Sequence, residues 1–213
     1  MKWWRSLLEA SDRDAERRAK EGQDKLYAAL RASGADARLA PKGRPEGTLV
    51  IKEIWGYEDN RSVGLFDIGV SPIRWVNFVD MGFYFDGGFH MVIIHGIPDS
   101  RDLPQMSIKV TSVKDAPLWF GQWVVKWSGN DHGTGIKQFL SDSVAVREAF
   151  LATELGRDPD WGIDILYLPK HNYWFIIRDV EYPFNYDFIG LTKNNWKCYE
   201  VIAEHLLAAT VQI

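Results

Sequence analysis

The residues with the greatest capacity for chemistry lie in one short loop, residues 130–135. Asp131 precedes His132 there, and a carboxylate can orient an imidazole, which titrates near neutral pH as a general base must. Residues adjacent in sequence rarely face each other, so the alternative interpretation is a solvated turn. A hydrolase or transferase with a site around His132 is therefore our second hypothesis.

Asp86, His90 and His95 form the other group with ligand-like side chains. The composition suits a metal, but the two histidines are an odd number of residues apart, so a regular strand directs them to opposite faces. We expect no metal site and no cofactor, and we keep His90 as an alternative catalytic residue. Cys198 is the single cysteine, which excludes an intrachain disulfide and a cysteine-based metal cluster.

The sequence contains no recognisable phosphate-binding or nucleophile motif. The Gly133-Thr134-Gly135 step lacks the third glycine of a dinucleotide fingerprint. The stretch around Ser71 departs from a nucleophile elbow at its last position, and Pro72 would obstruct the helix that must follow. These observations favour a binding function over catalysis.

The chain is rich in aromatic residues, with 10 Trp, 8 Tyr and 11 Phe. Most of them must be core residues, because each ring removes a large apolar area from water. Four aromatic residues lie instead in loop-like sequence beside acids, a setting that suits protein recognition. We predict that these four contact a partner: Trp161, Tyr182, Phe184 and Tyr186.

Charge is distributed unevenly along the chain. Residues 1–46 hold 11 Lys/Arg against 8 Asp/Glu, and residues 47–213 hold 14 against 21. The acidic body argues against a broad nucleic-acid surface and would attract a basic partner. Our leading hypothesis is a non-catalytic protein-binding module of bacterial type, such as an inhibitor or immunity protein.

The N-terminal sequence gives a third hypothesis, an oligomeric scaffold that uses a long helix. Residues 3–33 show helical periodicity, and residues 2–8 have the aromatic and basic chemistry of a membrane-contacting segment, although acids soon follow. The apolar run is too short for an export signal or a membrane span, so we expect a cytoplasmic protein.

The Pro- and Gly-rich residues 34–47 read as a linker. We therefore predict a helix and linker over residues 1–46 and a globular domain over residues 47–213. Because the helical stripe is thin in its middle, we expect the globular domain to fold without residues 1–34.

The body opens with strand-like segments and continues with a mixture of strands and helices, which predicts an α+β fold with a mainly antiparallel sheet, a long N-terminal helix and C-terminal helices on the sheet. Trp119, Trp123 and Trp127 are four residues apart, a spacing that suits one face of a helix or a strand, and we favour the strand. The predicted strands are 48–57, 62–70, 73–80, 82–85, 89–95, 105–113, 163–168 and 173–180; the predicted helices are 136–140, 143–155, capped by Ser143, and 192–210, capped by Thr192.

Overall fold

One antiparallel sheet and the helices on it account for most of the structure. The computed structural model describes residues 20–47, 52–53, 62–83, 89–114, 122–154, 156, 162–182 and 191–211. Over these ranges it has eight strands and four α-helices, which confirms the α+β class and the antiparallel sheet.

The strands follow the order β1-β2-β3-β4-β8-β7-β5-β6 across the sheet. The β7–β8 hairpin thus lies between β4 and β5, although β4 and β5 are consecutive in sequence. The strand bounds are β1 Ala37–Leu39, β2 Ser62–Ile68, β3 Trp75–Phe83, β4 Phe89–Pro98, β5 Met106–Lys114, β6 Trp123–Asn130, β7 Gly162–Leu168 and β8 Tyr173–Tyr182.

The helices are α1 (residues 20–33), α2 (Ile136–Asp142), α3 (Val144–Leu151) and α4 (Lys193–Ala208). Both predicted caps are confirmed: the Ser143 hydroxyl accepts a hydrogen bond from the Val146 amide, and the Thr192 hydroxyl accepts one from the Asn195 amide. Each cap satisfies an amide that would otherwise lack a partner at the start of its helix.

All four helices bury side chains in one core against the same sheet face. Alternate strand residues such as Phe66, Ile93 and Ile176 supply the sheet side of this core. The inner face predicted for the C-terminal helix is confirmed for four residues, which lie on α4 and are buried: Trp196, Tyr199, Ile202 and Leu206. Ala209 is also buried, but it follows the end of α4 in extended conformation.

A second, smaller apolar cluster lies on the opposite face of the central strands. It includes Trp75 of β3, Ile94 of β4 and Phe175 of β8. Gly96 permits this packing, because a Cβ atom there would lie 2.1 Å from Cε2 of the Trp75 ring. The central strands are therefore buried on both faces, and their nearly continuous apolar sequences follow from that position.

Several predicted boundaries are wrong. Residues 37–39 of the expected linker form β1, which pairs with β2. Lys52 and Glu53, expected in a strand, are helical. The strands expected at 73–80 and 82–85 are one strand, β3, which crosses a register shift between Asp80 and Gly82. The helix after Ser143 ends at Leu151 and not at residue 155.

The N-terminal helix predicted over residues 3–33 is helical from Lys20 to residue 33, and residues 3–19 lie outside the described residues. Leu26 and Leu30 are completely buried in the main core, and the Tyr27 ring stacks on Phe66 at 6.2 Å. The described part of this helix is thus packed on the sheet. The proposed division of the chain at residue 46 stays a prediction.

Candidate functional site

The four predicted partner-binding aromatics lie at the limit of the described structure. Trp161, Phe184 and Tyr186 are outside the described residues, and Tyr182 is described only as the last backbone position of β8. The contacts of these side chains therefore stay predictions.

The strand topology does show where these sequences join the sheet. β7 begins at Gly162, one residue after Trp161, and β8 ends at Tyr182, two residues before Phe184. The two strands are antiparallel neighbours, with Asp164 opposite Ile177, so the start of β7 and the end of β8 lie at the same end of the sheet. The aromatic sequences, distant in the chain, are thus attached to adjacent strands.

The structure does not bring Asp131 to the ring of His132. The Asp131 carboxylate accepts hydrogen bonds from the backbone amides of Gly133 and Lys137, at 3.3 and 3.1 Å. His132 is exposed, with a positive φ of 51°, and its Nε2 lies 3.3 Å from the Asn130 side-chain nitrogen. In this geometry Asp131 organises the turn before α2 and does not orient the imidazole.

His90 is described only as a backbone position near the start of β4, whereas the side chain of His95 is fully buried under α4. Nδ1 of His95 lies 3.1 Å from the carbonyl oxygen of Ile176 and must donate to it, which leaves Nε2 as an acceptor. The ring packs on that of Tyr199, with the centroids 4.2 Å apart. His95 is thus held as a neutral imidazole inside the core.

A buried polar cluster lies where α4 packs on β4 and β8, and the sequence analysis missed it; within it, His95 contacts Tyr199 and lies near Arg178. Arg178 of β8 and Asn195 and Tyr199 of α4 are at most 4 % exposed. The His95 Nε2 and both side-chain polar atoms of Asn195 have no hydrogen-bond partner among the described residues. A polar residue inside an apolar strand, such as Arg178 after Phe175-Ile176-Ile177, was the available signal.

The electrostatics of this cluster oppose reactivity. Burial lowers the pKa of His95 to about 4 and raises the pKa of the Cys198 thiol to about 12. Burial also raises the pKa of Tyr199, although the nearby Arg178 charge opposes that rise. At neutral pH all three groups are uncharged and enclosed, so the cluster offers no accessible base or thiolate.

One serine–histidine contact lies at the surface of the helical layer. The Ser143 hydroxyl and His205 Nε2 are 2.9 Å apart, and Nδ1 of His205 lies 2.8 Å from the carbonyl oxygen of Val201. That carbonyl fixes Nε2 as the acceptor, so the serine donates to it, as a nucleophile does to its base. The same hydroxyl caps α3, which gives it a structural role as well.

No family model, curated protein or solved structure matches this chain. Function must therefore be argued from the geometry alone.

Two further observations concern metal binding and membrane spanning. Across the described ranges, no group of three or more His, Cys, Asp or Glu side chains could hold a metal ion. None of the helices described here has the length and apolar character to cross a membrane.

Trp123 and Trp127 lie on a strand, the alternative that we favoured, whereas Trp119 is outside the described residues. Both rings are half-buried, and Trp127 packs against the main core. Trp123 also lies beneath the Lys114 ammonium group, which is 5.3 Å from its ring centroid. Part of each ring stays open to solvent at this edge of the sheet.

Proposed function

We propose that this protein is a non-catalytic binding module that recognises another protein through an aromatic and acidic surface at one end of the sheet. The observation that carries the proposal is the adjacency of the start of β7 and the end of β8. Trp161 joins the first of these strand ends, and Tyr182, Phe184 and Tyr186 belong to or follow the second.

The charge at this end supports a basic partner. Asp158 and Asp160 precede β7 in sequence, and Glu181 and Asp187 lie in or after the end of β8. Acidic residues around aromatic anchors would increase the association rate of a basic protein, and burial of the rings would slow its dissociation. An inhibitor or immunity protein needs this combination.

The chemistry of the described polar residues also favours binding over catalysis. Asp131 is bonded to backbone amides, and His95 and Cys198 are neutral and enclosed. None of these three groups is therefore free to react with a substrate.

The test measures a partner's affinity for Trp161→Ala and Phe184→Ala variants, after the partner has been identified by capture on the tagged full-length chain. We expect each variant to weaken binding about 30-fold, chiefly through faster dissociation. Phe139→Ala is the matched control, because Phe139 is 42 % exposed on α2, away from these strand ends. If the two variants bind like the control, the proposed surface is wrong.

Hydrolysis is our second proposal, and the Ser143–His205 hydrogen bond is the observation that favours it. This contact replaces Asp131–His132 as the best-arranged nucleophile and base among the described residues. A fluorophosphonate probe should then label Ser143 and should fail to label Ser143→Ala and His205→Gln. Thr192→Ala, which removes a helix cap elsewhere, controls for loss of stability. Absence of labelling in the unmodified protein would contradict this second proposal.

A further inference from the structure

The two edges of the sheet are built differently. β1 closes one edge with only three residues, whereas β6 forms the other edge with eight. No described strand pairs with the outer side of β6, and its pairing with β5 continues from Trp123 to Asn130 without a register shift. Natural edge strands are usually shortened, bulged or covered, because alternate residues direct unpaired backbone groups outward. β6 thus offers a long, regular edge.

The two faces of β6 differ in chemistry. Trp123, Val125 and Trp127 alternate on the face that α2 and α3 cover, and all three are half-buried. On the opposite face, Val124 is 41 % exposed and Lys126 is exposed. A strand added to this edge would place every second side chain beside a tryptophan and the intervening ones beside Lys126, because facing residues in a ladder lie close together.

The charge around β6 is opposite in sign to that of the whole protein. Residues 106–137 contain four lysines and two aspartates, whereas the complete chain has a net charge of −4. Lys137 reaches β6 directly, since its Nζ donates to the Gly129 carbonyl at 2.9 Å. Lys109 of β5 lies 3.7 Å from Asp164, so its charge is partly offset. Lys126 is the charge on the edge itself, and an acidic group on a partner would complement it.

Lys126 also argues against a second copy of this protein as the occupant. Two β6 strands paired antiparallel and centred on Lys126 would place their lysines directly opposite each other, which is destabilising. A charged residue at this position disfavours pairing between two copies of the edge strand, and it favours pairing with a strand of opposite charge.

We propose that the outer edge of β6 binds an extended acidic peptide segment by strand addition. Acidic residues at alternate positions lie against Lys126, and the apolar residues between them pack on Trp123 and Trp127. Main-chain hydrogen bonds to β6 supply the affinity, and the alternation of side chains supplies the selectivity. This surface is separate from the aromatic and acidic one at the end of the sheet and prefers the opposite charge.

The experiment uses the full-length protein and three capped eight-residue peptides. One alternates Glu and Val, the second has Lys in place of Glu, and the third has Pro in place of Val, which removes the amide at every second position and so interrupts a ladder. We expect the Glu peptide to bind at least about 10-fold more tightly than the Lys peptide, and the Pro peptide to show no binding. Amide exchange should slow at alternate residues of β6 when the Glu peptide is added.

Charge reversal at the edge gives the decisive comparison. Lys126→Glu should invert the preference between the Glu and Lys peptides, whereas Lys197→Glu, an exposed position on α4, should leave it unchanged. Equal binding of the two peptides, spectral changes away from β6, or alternate β6 amides that are already protected without peptide would each overturn the proposal. None of these results bears on the aromatic surface, whose test uses Trp161, Phe184 and a native partner.

Discussion

His95 shows how burial turns a titratable residue into part of the core. The fold holds it neutral, because α4 excludes water from the ring and the Arg178 charge lies nearby on β8. An unfolded chain takes up a proton on this residue near pH 6.5, whereas the folded protein does so only near pH 4. The stabilising contribution of neutral His95 is therefore complete above about pH 6.5 and is lost as the pH falls toward 4.

We expect this difference to appear in urea unfolding at two pH values. Between pH 7.5 and 4.5 the unmodified protein should lose about 2 kcal/mol more of its unfolding free energy than His95→Gln, which cannot titrate. The contribution of the carboxylates to the loss of stability cancels in this comparison, because they titrate in both proteins. Equal losses in the two proteins would mean that His95 is not buried as a neutral ring.

At the scale of elements, one arginine joins the end of α4 to the sheet. Arg101, in the loop after β4, donates to the carbonyl oxygens of Leu206, at 2.6 Å, and Ala209. Its guanidinium also binds the Asp99 carboxylate, which accepts a further bond from Trp174 Nε1 at 2.8 Å. Burial raises the pKa of Asp99, but the bonds from Arg101 and Trp174 outweigh it, and the net shift is downward.

We expect Arg101→Lys to lower the unfolding free energy by about 2–3 kcal/mol, because an ammonium group cannot reach the carboxylate and both carbonyls together. Arg147→Lys, at an exposed position on α3, is the matched control and should change stability by no more than about 0.5 kcal/mol. Thermal or urea unfolding of the two variants makes the measurement. Equal stability of the two variants would show that the hydrogen bonds of the Arg101 guanidinium contribute little to the unfolding free energy.

Local patterns predicted the elements well, and non-local pairings explain what they missed. The alternation in β5 and the caps at Ser143 and Thr192 are local signals, and they indicated the type of each element and where it starts. β1 has only three residues and exists because it pairs with β2, which no local pattern reveals. The contact of His95 with Tyr199 likewise depends on α4 crossing β4, which lies about a hundred residues earlier in the chain.

At the scale of the whole molecule, the strand order decides which surfaces can have a function. Insertion of the β7–β8 hairpin between β4 and β5 leaves the β5–β6 pair at the outside of the sheet, with β6 at the edge. The start of β7 lies beside the end of β8 because these two strands form an antiparallel hairpin. The edge position of β6 could not be located from the sequence, because the order of strands in a sheet is a non-local property.

The packing of the N-terminal helix on the rest of the molecule decides whether this helix is an appendage. The sequence predicted that residues 47–213 fold without residues 1–34, but Leu26 and Leu30 are completely buried in the core that contains Phe66 and Trp196. Deletion of residues 1–34 should therefore lower stability by several kcal/mol, at about 2–5 kcal/mol for each buried leucine. Deletion of residues 1–19 is the matched control, since it keeps both leucines. Urea unfolding of the two shortened proteins separates the alternatives. A much lower unfolding midpoint for the longer deletion would show that the helix is part of the folded domain. Similar midpoints for the two proteins would show that the helix is an appendage.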